Sequence, residues 1–211
     1  MSQIEIITEG ISKDYNYNTI FQGISHSFTN PDAIALLGDN GSGKSTLLKI
    51  LSGMTGPTTG KIKWIWKDKE IPDYKWFELL SFCSPDFHFD PRFTISEILR
   101  MYMDVKPFPD HLSVSELIER MNFQAHTQKK MNELSSGMYQ RIRLVLTICT
   151  EVPVLFLDEP CSNLDIAGVK WYNDLIEEFA AQKLIFVASN DPKEYAYCST
   201  DIQIMNYKSS L

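Results

Sequence analysis

Apolar positions along this chain follow two periods, and their alternation gives the first structural signal. Ala33 to Leu37 is an unbroken apolar run after the turn-like Asn30-Pro31-Asp32, which predicts a short strand buried on both faces. Val154 to Leu157 and Leu184 to Ala188 read the same way. After the first run the period changes. Leu47, Leu48, Ile50 and Leu51 fit the inner face of a helix, with Gly53 near its end. A second helix is expected from about Ser136 to Cys149, burying Ile142, Val145, Leu146 and Cys149. Between the last two strands Trp171, Tyr172, Leu175, Ile176 and Phe179 recur at helical spacing. Pro57 to Gly60 predicts a turn. Ile62, Trp64 and Trp66, interleaved with lysines and Ile65, predict a strand with one wet face.

The middle of the chain reads as helical. Thr94-Ile95-Ser96-Glu97 and Ser113-Val114-Ser115-Glu116 both fit the capping box, in which a hydroxyl and a carboxylate satisfy free amides at a helix start. Buried strands alternating with amphipathic helices indicate an α/β fold built on a parallel sheet. The helical stretch from about 87 to 149 is expected to be inserted into a core of about 1–86 and 150–211. A chain of 211 residues can bury one substantial core with such a subdomain, and no linker or repeat divides it.

Composition narrows the class. With 44% hydrophobic and 22% charged residues it matches an ordinary globular chain. No apolar stretch reaches the roughly 20 residues a membrane helix needs, and Met1-Ser2-Gln3-Ile4-Glu5 carries no signal-like core. The net charge of −7 works against nucleic acid or anionic lipid, so no nucleic-acid partner is expected. Cys83, Cys149, Cys161 and Cys198 form no CxxC pair, and reduced thiols in a cytoplasm are the simpler reading.

Gly38-Asp39-Asn40-Gly41-Ser42-Gly43-Lys44-Ser45-Thr46 contains G-x-x-x-x-G-K-[ST] in full, between a predicted strand and a predicted helix. Glycines let the backbone curl around phosphates and aim several N–H groups at one anion. The helix start adds a favourable dipole. Lys44 would reach the β- and γ-phosphates, and the Ser45 hydroxyl would ligate Mg²⁺. This loop predicts a nucleoside triphosphate site.

Val154-Leu155-Phe156-Leu157-Asp158-Glu159-Pro160 puts two carboxylates at the end of a buried strand. In a parallel sheet, strand C-termini share the edge where such a loop lies. Asp158 would hold Mg²⁺, and Glu159 would orient and deprotonate the attacking water.

Between these motifs lies Leu134-Ser135-Ser136-Gly137-Met138-Tyr139-Gln140-Arg141. Here the chain resembles the ATP-binding cassette (ABC) ATPases, whose signature is usually LSGGQ followed by x-Q-R; Ser136 and Met138 depart from it. Ser162-Asn163-Leu164-Asp165 resembles the family's D-loop. Tyr15 stands where the family places an aromatic ring on adenine, with Tyr17 as the second candidate. The resemblance spans essentially the whole chain. It implies a P-loop NTPase with a RecA-like core, an N-terminal antiparallel β region and a helical subdomain carrying the signature.

A serine and a glycine at a helix start offer a hydroxyl, free amides and a positive dipole end to an anion. The resemblance implies that Ser135, Ser136, Gly137 and Met138 act in trans, on ATP held by a second subunit of a homodimer or heterodimer. It also implies a separate multi-span membrane subunit, with this chain at the cytoplasmic face. A soluble ABC ATPase serving assembly or regulation, or a subunit that hydrolyses very slowly, is the alternative.

Two expected residues are missing. Nine residues before Thr94, where the family usually has glutamine, stands Pro85, with neither side-chain amide nor backbone N–H. Asp86 follows and is a candidate metal ligand. Ser189-Asn190-Asp191 stands where Thr-His-Asp is usual, so Asn190 replaces a histidine; it can donate a hydrogen bond but cannot carry the proton. Slower hydrolysis through Glu159 is expected.

Overall fold

The computed structural model describes residues 3–16 and 18–208. Tyr17, the second candidate for the adenine ring, and Met1 and Ser2 of the signal reading lie outside the described residues. The chain opens with β1 (Ile4–Tyr15) and β2 (Asn18–Thr29), followed by β3 (Ala33–Leu37) and α1 (Lys44–Leu51). Next come β4 (Thr59–Trp66), β5 (Lys69–Ile71) and β6 (Leu80–Cys83). Helices α2 (Ile95–Val105), α3 (Val114–Arg120) and α4 (Ser136–Ile148) lead to β7 (Val154–Asp158), α5 (Ile166–Phe179), β8 (Leu184–Ala188) and β9 (Thr200–Gln203).

Two sheets result. A parallel one has the order β6-β7-β8-β3-β9, and an antiparallel one the order β2-β1-β4-β5. The expected parallel sheet and antiparallel β region are both present.

The apolar runs are explained by a sheet covered on both faces. Along β7, Val154 and Phe156 join one core cluster while Leu155 and Leu157 join the other. Leu184, Phe186 and Ala188 of β8 share the first cluster, whereas Ile185 and Val187 share the second. Successive side chains of a strand point to opposite faces, so five consecutive apolar residues are needed when both are dry. The first cluster includes α1 and the antiparallel sheet; the Phe156 and Phe186 rings stack within it at 5.2 Å. The second contains α4, α5 and the inner faces of α2 and α3.

Both capping boxes form as the sequence predicts. Thr94 and Ser113 accept from the amides of Glu97 and Glu116, whose carboxylates accept from the cap amides in return. The turn expected over Pro57–Gly60 is shorter, because Thr59 already pairs with Ser12 and β4 has begun. The four cysteines are free thiols, and burial pushes Cys83 and Cys149 up to about 12.

Parallel register brings four strand ends to one edge. Leu157 pairs with Val187 and Cys83, and Asp158 with Ala188; β3 runs alongside β8 up to Leu36 and Ala188. The segments leaving that edge are Gly38–Gly43, Pro85–Asp86, Glu159–Pro160 and Ser189–Asn190. They carry most of the chemistry.

Candidate nucleotide site

The loop between β3 and α1 takes its shape from backbone conformations that favour glycine. Gly43 has φ 112°, and a Cβ there would lie 2.5 Å from Ile20 Cγ2. At Gly38, with φ 148°, a Cβ would lie 2.7 Å from Ser42 Oγ. Side chains at either position would push the loop open. Within the loop Lys44 is buried, and its Nζ donates to the carbonyl oxygens of Gly38 (2.7 Å) and Asp39 (3.2 Å). An ammonium has three N–H donors, so one remains for an anion. Ser42 Oγ is buried without a hydrogen-bond partner. The loop thus holds cationic and polar donors whose demand its own atoms do not meet, which fits a phosphate.

At the next strand end Ser45 Oγ donates to Asp158 Oδ1 across 2.9 Å. These are two hard oxygen donors at one point, as Mg²⁺ requires when phosphate and water complete its shell. Asp158 is 4% exposed; burial pushes its carboxyl up to about 6, against the lowering effect of the Ser45 hydroxyl. Glu159 behaves differently. Its amide still bonds Ala188 O at 2.9 Å, but its φ of 45° turns the chain out of the strand, and it is exposed. Left-handed backbone at a non-glycine residue is strained and concentrates at functional sites.

Tyr15, Asn40, Gly41, Gly43, Lys44, Ser45, Thr46 and Glu159 line one cleft of about 250 Å³ together with Ile20. Tyr15 is half exposed at its rim, with Lys13 Nζ 4.8 Å from the ring centre. Asn190 Nδ2 donates to Asn40 Oδ1 at 2.8 Å, which attaches the loop after β8 to the phosphate loop. Asp86 forms an ion pair with Lys49 at 3.2 Å. Lys49 lies one turn beyond Ser45 on α1, so its ammonium offsets the negative charge that Asp86 brings to this edge of the sheet. The sequence reading missed Lys49; its spacing of four from Ser45 was the available signal.

Ser135, Ser136, Gly137, Met138 and Asp165 do not line this cleft. Ser135 caps α4 by accepting from Met138 N, and Asp165 caps α5 by accepting from Gly168 N at 2.8 Å. The two caps are neighbours. A Cβ on Gly137 would stand 3.0 Å from Asn163 O, so glycine lets the start of α4 approach the segment before α5.

A glycine-rich loop with a buried lysine, joined by a hydroxyl to a strand-end carboxylate, marks a P-loop nucleoside-triphosphate site. The family model described as ABC transporter matches residues 21–162. The chain belongs to that family, as an ATP-binding, ATP-hydrolysing subunit. It is 30% identical to a probable sulfate/thiosulfate import ATP-binding protein from Chlorella vulgaris, over 77% of this chain and 70% of that one. An uncharacterized ABC transporter ATP-binding protein of Bacillus subtilis is 25% identical, with 97% and 93% covered. A putative ABC transporter ATP-binding protein from Pyrococcus furiosus shares the fold at TM-score 0.79 and 20% identity, covering 97% of this chain and all of that one. An ATP-binding cassette solved as a dimer with ADP and Pi gives TM-score 0.79 at 18% identity, with 94% of both chains covered.

Proposed function

We propose that this subunit powers a transporter by closing head-to-tail on a second cassette around ATP, and that hydrolysis then reopens the pair. The observation that carries the reading is the Ser45–Asp158 hydrogen bond, which joins the phosphate loop to the strand-end carboxylates beside Glu159. In this reading Lys44 and the amides of Gly41–Thr46 bind the β- and γ-phosphates. Tyr15 receives the adenine. Ser45 and Asp158 would hold Mg²⁺, which would neutralise phosphate charge, with Asp86 at its edge. Glu159 aligns the attacking water and takes its proton. Asn190 donates one hydrogen bond toward the γ-phosphate, having no proton to shuttle.

Ser135 and Gly137, which do not line the cleft of their own phosphate loop, cap the γ-phosphate of a partner subunit, while Asp165 lies in the same dimer contact. Residues 87–149 act as the subdomain that carries this cap. Among the described residues no helix is long and apolar enough to cross a membrane. The transport reading calls for a separate multi-span subunit to supply the pathway, with this chain at the cytoplasmic face against it. Relatives named for sulfate/thiosulfate import, aliphatic sulfonate import and lantibiotic transport share similarity with this chain, which supports placing cargo choice in that other subunit.

Sizing Glu159→Gln protein with ATP and Mg²⁺ tests the proposal. A dimer is expected, and Ser135→Arg introduced into the same protein should return it to monomer without loss of nucleotide affinity. A dimer that survives Ser135→Arg would overturn the shared-site arrangement.

A further inference from the structure

Arg143 is 8% exposed, and the partners that hold it are neutral. Its Nη2 donates to Pro85 O and its Nε to Phe87 O, both at 2.8 Å, and Nη1 donates to Gln140 Oε1 at 3.1 Å. The guanidinium lies 4.5 Å from the Tyr139 ring centre, and the Tyr139 hydroxyl accepts from Phe89 N. Gln140 Nε2 in turn donates to Pro160 O at 2.6 Å. One face of α4 therefore grips the backbone on both sides of Asp86, and also the residue after Glu159. Burying a guanidinium without a carboxylate is costly unless its donors are matched. Its rigid planar fork fixes the direction of both bonds, to carbonyls two positions apart, whereas the rotatable ammonium of a lysine sets no such plane. Between those carbonyls the Asp86 side chain points outward to Lys49, and Asp158 feels the charge of both.

We propose that Arg143 is a positioning residue: it fixes the Pro85–Phe87 backbone to α4, so that Asp86 is held beside Ser45 and Asp158 in step with the helix that Ser135 caps. This rests on the functional reading above. Proline at position 85 has no amide to anchor itself, and the fork supplies the anchor from outside. Movement of α4 on a partner's nucleotide is carried to Asp86 through two hydrogen bonds. Ordinary helix packing would make no such residue-specific link.

The test is a double-mutant cycle on the full chain with ATP and Mg²⁺. Arg143→Met should lower kcat about tenfold with KM for ATP within about twofold, because the phosphate loop is untouched. Asp86→Asn should lower kcat to a similar extent, and the double variant no further than the lower single variant. Arg143→Lys, which keeps one carbonyl bond, should lie between. Without nucleotide, hydrogen exchange of the Asp86, Phe87 and Phe89 amides should quicken in Arg143→Met while β6 and α4 stay protected. Losses that multiply in the double variant would overturn the proposal. So would a lowered melting temperature with kcat preserved, or exchange that quickens throughout α4. If unaltered protein hydrolyses ATP and Lys44→Ala does not, the functional reading stands whichever way the cycle falls; unaltered protein that binds no ATP would sink both.

Discussion

Asn190 and Asn40 are joined by a 2.8 Å hydrogen bond across 150 residues of sequence. The amide of one loop thereby reaches the phosphate loop of another, at the point where the γ-phosphate of a bound triphosphate is proposed to sit. Asparagine keeps the donor of the residue it replaces and loses its capacity to titrate near neutrality.

Removing that donor should slow turnover and leave ATP binding intact. Asn190→Ala is expected to lower kcat about tenfold, the worth of one well-placed hydrogen bond of about 1.4 kcal/mol. Asn190→His should match or exceed the unaltered protein. Steady-state phosphate release measures both. Equal rates for Asn190→Ala and unaltered protein would remove Asn190 from the site.

Glu159 is exposed at the cleft in a left-handed conformation, whereas Asp158 is buried against Ser45. In the proposed mechanism Glu159 faces the attacking water and Asp158 the metal. Glu159→Gln should cut turnover by about 10²–10⁴-fold, the range for a lost general base, with nucleotide affinity unchanged. Rates that differ by less than about threefold would assign the proton to another group.

How much of this was legible in the sequence follows from how local each signal is. β3, β7 and β8 were readable because burial on both faces leaves contiguous apolar runs. The starts of α2 and α3 were readable because a capping box closes within four residues. β1 and β2 gave no usable period. Register shifts between Thr8 and Ile11, and again between Ile11 and Lys13, break the alternation that a strand normally prints. β9 left one buried residue, Ile202, among exposed ones. At the site the phosphate loop and paired carboxylates are continuous motifs, but the Asn40–Asn190 and Lys49–Asp86 pairs join segments 150 and 37 residues apart. No single window contains both partners.

Tyr15 stands half exposed at the rim of the phosphate cleft, with one ring face toward Lys13 Nζ. A purine on the other face would add a stacking contact of about 1–3 kcal/mol. Tyr15→Ala should weaken ATP and ADP binding equally, by about tenfold or more, and Tyr15→Trp should preserve it. Titration with a fluorescent adenine nucleotide is the measurement. The same variant should bind inorganic triphosphate as the unaltered protein does, since that ligand has no base; a parallel loss there would mean that Tyr15 supports the loop rather than the adenine.

Lys183 is 1% exposed, and burial lowers its pKa to about 8. Its Nζ donates to Ile148 O at 2.8 Å and Thr150 O at 2.5 Å. A neutral amine has two N–H donors, so losing the proton leaves both bonds in place. The sign follows from which state holds the proton. Below pH 8 both folded and unfolded chains carry it; between about 8 and 10.5 the unfolded chain alone does. Raising the pH through that window therefore favours the folded state, by on the order of 3 kcal/mol in full. Chemical denaturation at pH 8 and pH 10 should show this term as a difference between unaltered protein and Lys183→Met, whose apolar side chain cannot titrate. Parallel curves for the two proteins would mean that Lys183 stays charged when folded, with a third hydrogen-bond partner in place of the lost water.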